Sequence, residues 1–307
     1  MNKLDLLVKT YSKLHNYKGI PYWVLTPYRR LVRSIANCQL PKYLSNGNRG
    51  TAKKQTDIIV SFTSFPARID NVWLVVECML RQVYQPKKII LWLSKEQFSS
   101  KDDLPKSLLE RENSIFEIRF VDEDIRSHKK YYYVSKEYPD SLILLIDDDL
   151  YYPTDMIEDM CTAYVDHPMH VICRYGFKIK YDNNANIQSY KQWKSINREY
   201  QCSDFFFGSG GGVLFTPSYL YQDLTNQELF LHLAPIADDI WLNAMVRLAK
   251  LNCFKIKFGQ TLLPIKSEGS KLTLCSVNVG QNKNDEQIEK VSAYYMTKCG
   301  INPFALK

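Results

Sequence analysis

A chain of 307 residues with 45% hydrophobic and 13% aromatic content holds enough apolar material for one large or two small globular domains, so a disordered or fibrous chain is not expected. Its formal charge of +7 is unevenly placed: eleven Lys and Arg residues lie between Met1 and Lys54 against Asp5 alone, a basic end suited to an anionic membrane surface or nucleic acid. No run approaches the ~20 apolar residues that cross a bilayer and no signal-peptide pattern opens the chain, which predicts a cytoplasmic protein, at most peripheral on the inner membrane face.

Leu4, Leu7, Val8, Tyr11 and Leu14 recur at helical spacing, and Tyr28, Leu31, Val32, Ile35 and Ala36 do so again after Thr26-Pro27. Two basic helices and a polar linker over Ser45 to Thr56 are therefore expected as an extension covering residues 1–54. From Asp57 apolar strands alternate with helices: DIIVSF, a helix carrying Ile69, Val72, Trp73, Val76 and Leu80 on one face, KIILWL, a helix near Leu104, EIRFV, a helix over Lys129 to Glu137, then LILLI. Such alternation predicts an α/β domain with a mostly parallel central sheet flanked by helices, whose ligands bind beyond the carboxyl ends of the strands. The expected domain spans residues 55–280 and includes a helix from Asp238; residues 281–307 hold a last helix. Eight scattered cysteines, with no C-x-x-C pair or zinc-ligand spacing, read as free thiols.

LILLI runs directly into Asp147, Asp148 and Asp149. On an extended strand Asp147 and Asp149 would share a face, with Asp148 on the other. Two converging carboxylates suit a hard divalent cation bridging to phosphate. Simple capping of the next helix and a solvated turn are the alternatives. An EF-hand is set aside, because Tyr152 stands where that loop needs glycine.

The order of DIIVSFTSFPARI, KIILWLS, LILLIDDDL, FGSGGGVLF and ADDIWL resembles GT-A fold glycosyltransferases, most closely family 2 enzymes of bacterial surface polysaccharide synthesis, over about Asp57 to Lys250. The resemblance implies a Rossmann-like sheet and a nucleotide-sugar donor, most simply a UDP-sugar, bound with Mn2+ or Mg2+. It puts Asp147 and Asp149 on the metal, with Asp147 also approaching the nucleoside and Asp148 beside it. Thr63, Ser64, Pro66 and Arg68 would line the nucleotide, although Arg68 could equally be a helix-face charge. Lys129 and Lys130 would help hold it, against the reading of a solvated pair. An acidic residue that often reads uracil in that family is replaced here by Ser94-Lys95, which leaves the base open.

Gly210, Gly211 and Gly212 would let a sugar approach the backbone closely, or form only a bulge before VLFT. The resemblance makes Asp239 the catalytic base, with Asp238 and Trp241 toward the acceptor; helix capping and core filling are the plain alternatives. Together these imply glycosyl transfer with inversion to a glycan or lipid-linked glycan in capsule or O-antigen type synthesis, with no nucleic-acid partner. A retaining glycosyltransferase, a metal-dependent nucleotidyl or phosphoryl transferase and a non-catalytic glycan-binding protein are the competing functions.

Overall fold

The computed structural model describes residues 1–16, 19–196, 198–201, 204–257, 262–266 and 282–306. Eight strands form the central sheet: β1 Ile59–Thr63, β2 Lys88–Ser94, β3 Phe116–Val121, β4 Ile143–Leu145, β5 Val171–Cys173, β6 Tyr200–Gln201, β7 Val213–Phe215 and β8 Cys253–Lys255. Their spatial order is β6-β8-β5-β7-β4-β1-β2-β3. β4, β1, β2 and β3 run parallel, while β7 lies antiparallel between β4 and β5. The chain thus builds outward from β1 to β3, then returns to place β4 on the other side of β1. Loops leaving β1 and β4 diverge there, which opens a crevice at the carboxyl ends of both strands.

The main helices that accompany the sheet are α1 Lys3–Asn16, α2 Tyr22–Leu44, α3 Val72–Leu80, α4 Lys129–Glu137, α5 Met156–Asp166, α6 Asp238–Leu248 and α7 Lys283–Cys299. Alternate residues of each strand feed opposite cores, as the pleat requires. Val60 and Phe62 join α1, α2 and α3 through Leu4, Val8, Leu40 and Val76. Ile59 and Trp92 join α4, α6 and α7 through Tyr131, Met245, Val291 and Tyr295 on the other face. The expected architecture, a mostly parallel sheet flanked by helices with a helical N-terminal segment, is therefore present. Residues 1–54 are also woven into its core: Asp5 accepts hydrogen bonds from the Thr154 amide at 2.8 Å and its hydroxyl at 2.7 Å. The expected boundary at 280 and 281 lies outside the described residues, as do Cys202 and Cys275; Cys38, Cys78, Cys161, Cys173, Cys253 and Cys299 are free thiols.

Two expectations need correction. α3 is not one-faced: every residue but Trp73 is buried, because α2 covers the side turned away from the sheet. Glu77, trapped there, is neutralised by Arg49 at 2.8 Å, Arg111 at 3.3 Å and Arg81 at 3.4 Å. The three aspartates are not on an extended strand either. β4 stops at Leu145, and Asp148 and Asp149 form a turn into Leu150–Tyr151, which pairs with Leu263–Pro264.

Candidate active site

The loop after β1 meets the aspartate turn directly. Thr63 Oγ1 donates to the Trp92 carbonyl of β2 at 2.7 Å, so it braces the strand end, and Pro66 is exposed in the same loop. Ser64 Oγ donates to Asp148 Oδ2 at 2.6 Å, and Arg68 Nη1 lies 2.6 Å from Asp148 Oδ1 and 3.0 Å from Asp149 Oδ2. Arg68 is thus a partner of the aspartates and not a helix-face charge. Asp148 is buried against this loop, and burial pushes its carboxyl up in spite of Arg68 and Ser64.

Asp147 points the other way. Its amide donates to Tyr152 Oη at 2.8 Å, and that hydroxyl donates to the Gly210 carbonyl at 2.6 Å, pinning the turn to the glycine stretch. Its carboxylate lies 2.9 Å from Lys130 Nζ, and the same ammonium lies 2.8 Å from Asp238 Oδ2. Lys130 is 4% exposed, so one buried cation joins the two acidic motifs that lie some ninety residues apart in sequence. Burial alone would lower its pKa, but the carboxylates of Asp147, Asp238 and Asp239 hold it above the ordinary lysine range. Lys129, its neighbour, turns instead to Asp124 and does not reach this group. Successive helix positions point about 100° apart, which separates the pair.

Asp238 and Asp239 open α6 as expected, without a side-chain cap on that helix. Ser209, within the glycine stretch, links them: its amide donates to Asp239 Oδ1 at 2.9 Å, and its hydroxyl lies between that oxygen and Asp238 Oδ2, 3.2 Å from the latter. Burial would raise Asp238, yet Lys130 holds it below the usual carboxylate range. Asp239 is raised to about 7 by burial and by the charge of Asp238. Two adjacent carboxylates in unlike surroundings are thereby split into a permanent anion and a proton acceptor near neutrality.

Asp147 and Asp239 both line a cleft of about 410 Å³, together with Gly208, Gly210, Gly211 and Tyr175. Glycine is needed at two of these places. A Cβ on Gly210 would sit 1.9 Å from Asp147 Oδ2, and one on Gly211 would sit 2.6 Å from the Tyr175 Cβ. Gly212 acts through its backbone, since a φ of +106° turns the chain into β7, with Met156 against its outer side. Trp241 is a correction. It is buried among Phe230 and Tyr295, with its indole N–H donated to the Leu224 carbonyl at 3.0 Å, so it fills core and cannot face an acceptor. Two positions beyond Asp239, about 200° around the helix, it points away from that residue.

Several residues of the site carried little sequence signal. Ser209 hides inside a stretch notable for its glycines, Tyr175 follows an ordinary strand, and His15 reaches the cleft from α1. His128 lies buried beneath Lys130, stacked on Phe230, with its ring nitrogens 2.8 Å from Tyr131 Oη and from the Ala234 carbonyl. Burial lowers its pKa to about 4, so it is a neutral strut.

The donor chemistry fits Mg or Mn. Asp147 and Asp149 offer hard oxygens, and burial with the charge of Asp147 pushes the Asp149 carboxyl up to about 7, a crowding that a divalent cation relieves. No group of three or more His, Cys, Asp or Glu side chains suited to a metal occurs among the described residues. Such an ion would therefore draw its remaining ligands from phosphate oxygens and water, as Mg commonly does.

No protein-family model matches the chain, and no curated protein matches it in sequence. Solved structures resemble it in general fold. Residues 1-349 of S. aureus TarS, in complex with UDP-GlcNAc, share 11% identity over 80% of this chain and 73% of that one, with a TM-score of 0.45. A CMP:2-keto-3-deoxy-manno-octonic acid synthetase complexed with CTP shares 10% identity over 76% of this chain and 100% of that one, with a TM-score of 0.42. HddC from Yersinia pseudotuberculosis, complexed with GMP-PN, shares 12% identity over 54% of this chain and 77% of that one, with a TM-score of 0.33.

Proposed function

We propose that this protein is a metal-dependent glycosyltransferase that moves a sugar from a nucleotide-sugar donor, a UDP-sugar in the simplest case, to a hydroxyl of a glycan or lipid-linked glycan. One observation carries the reading: Asp147 and Asp239, from the two ends of the chain's acidic pattern, line one cleft just beyond the carboxyl end of β4. Thr63, Ser64 and Arg68 would face the nucleoside and diphosphate, and Asp147 and Asp149 would hold Mg or Mn. When bound, that ion offsets negative charge on the departing diphosphate. Asp239 takes the acceptor proton, since its carboxyl sits near neutrality while Lys130 keeps Asp238 ionised beside it. Gly210 and Gly211 let Asp147 and Tyr175 pack directly against the backbone at the cleft wall. A base opposite the leaving group gives a single displacement with inversion.

The test is a screen of nucleotide sugars by thermal shift with and without Mn, followed by product analysis. Release of a nucleoside diphosphate supports glycosyl transfer. Release of pyrophosphate from a nucleoside triphosphate would instead assign nucleotidyl transfer.

A further inference from the structure

The basic N-terminal hairpin has two faces, and among the described residues the fold uses only one. Leu25, Ala36, Leu40 and Leu44 of α2 are buried against the domain. Its outer face carries Trp23 at 75% exposure, Tyr28 and Leu31 at 58% each and Ile35 at 36%. At 3.6 residues per turn these side chains fall on one arc, with Lys42 within it and Arg30 at its border, both exposed. Isolated exposed apolar residues are ordinary, but large ones aligned along one helix face mark a surface that meets something.

The charge says what it meets. Asp5 is the one acidic residue before Asp57, and it is buried against Thr154, so the outer side of the hairpin presents cations alone. An apolar stripe containing Trp and Tyr, bordered by Lys and Arg, matches a bilayer interface carrying anionic headgroups. No single helix among the described residues is long and apolar enough to cross a membrane, so attachment would be in the plane of the surface.

We infer that the outer face of α2 docks the protein on an anionic lipid bilayer, with Trp23, Leu31 and Ile35 entering the headgroup region and Arg30 and Lys42 pairing with lipid phosphates. His15, on the neighbouring α1, lines the same cleft as Asp147 and Asp239. The helix packed against α2 thus reaches the cleft. Resting on the proposed function, this names a lipid-linked glycan as the acceptor class that such a position would serve.

The experiment is co-sedimentation of the full chain with vesicles of phosphatidylglycerol and phosphatidylcholine, and with vesicles of phosphatidylcholine alone. Binding to the first and not the second is expected. Leu31→Glu/Ile35→Glu and Arg30→Glu/Lys42→Glu should each weaken it by about tenfold or more. All four positions are exposed, so melting temperature and donor binding should be unchanged in both variants, which separates this inference from the function of the cleft. Absent or charge-independent vesicle binding overturns it. So does duplex DNA binding that outcompetes anionic vesicles at physiological salt, or a dimer in light scattering that Leu31→Glu/Ile35→Glu converts to a monomer.

Discussion

Lys130→Met keeps most of the side-chain volume and removes a single charge. That charge lies 2.9 Å from Asp147 and 2.8 Å from Asp238, at a residue only 4% exposed. Removing one partner of a buried pair costs roughly 3–5 kcal/mol, because the carboxylates left behind are desolvated without compensation. They can shed part of that by binding protons, so a loss of about 3 kcal/mol is expected near neutral pH, or a fall in Tm of about 5 °C for a chain of this size. The sign of the pH dependence follows from Asp238, whose carboxyl Lys130 holds down despite burial. A depressed carboxyl contributes stability above its unfolded pKa of about 4 and loses it as pH falls through the folded value. The gap between wild type and Lys130→Met should therefore be widest near neutrality and close in acid. Urea unfolding followed by fluorescence across that range measures it, with Lys130→Met/Asp238→Asn recovering part of the loss. A Lys130→Met protein within about 0.5 kcal/mol of wild type at neutral pH would refute the buried bridge.

The turnover of the wild type should rise with pH through about 7, as the Asp239 carboxyl ionises, and level off above it. Asp238→Asn removes the neighbouring charge that raises Asp239, so this acidic limb should move to lower pH in a pH-rate profile. A raised carboxyl costs stability progressively as pH rises from its unfolded value of about 4 to its folded value of about 7, so Asp239→Asn should be more stable than wild type by about 2 kcal/mol once that window is passed, while losing transfer activity. Gly210→Ala forces Asp147 from its place, because the added methyl would lie 1.9 Å from its carboxylate. Donor affinity in calorimetry should fall by about tenfold or more for the lost alignment, with secondary structure by circular dichroism intact.

Much of the sheet was legible because β1, β2 and β4 are continuous apolar runs, the mark of strands covered on both faces, while β3, at the sheet edge, alternates apolar and charged residues. Their order was legible only as a class. That β7 inserts antiparallel between β4 and β5 depends on pairings across many residues, which no local pattern encodes. In α2 the period identified a helix but not its inner side: apolar residues lie on both faces, and the structure buries Leu40 while exposing Tyr28, Leu31 and Ile35. At the site, residue type and position beyond a strand end pointed to the three aspartates, and the family resemblance to Asp239. Strand alternation did not apply there, since the backbone turns at Asp148, although Asp147 and Asp148 do part company. Trp241 and Lys129 were drawn toward the cleft by sequence proximity, and helix rotation carries both away from it. The bridging by Lys130 and Ser209 is a tertiary property, visible only once the two acidic motifs are brought together.

Calorimetric titration of nucleotide sugars with Mn into the wild type, Asp149→Asn and Asp239→Asn tests the metal-assisted donor site most directly. Equal donor heats are predicted for the wild type and Asp239→Asn, with their loss in Asp149→Asn. Undiminished binding by Asp149→Asn, or no heat from the wild type with any nucleotide sugar, would contradict it.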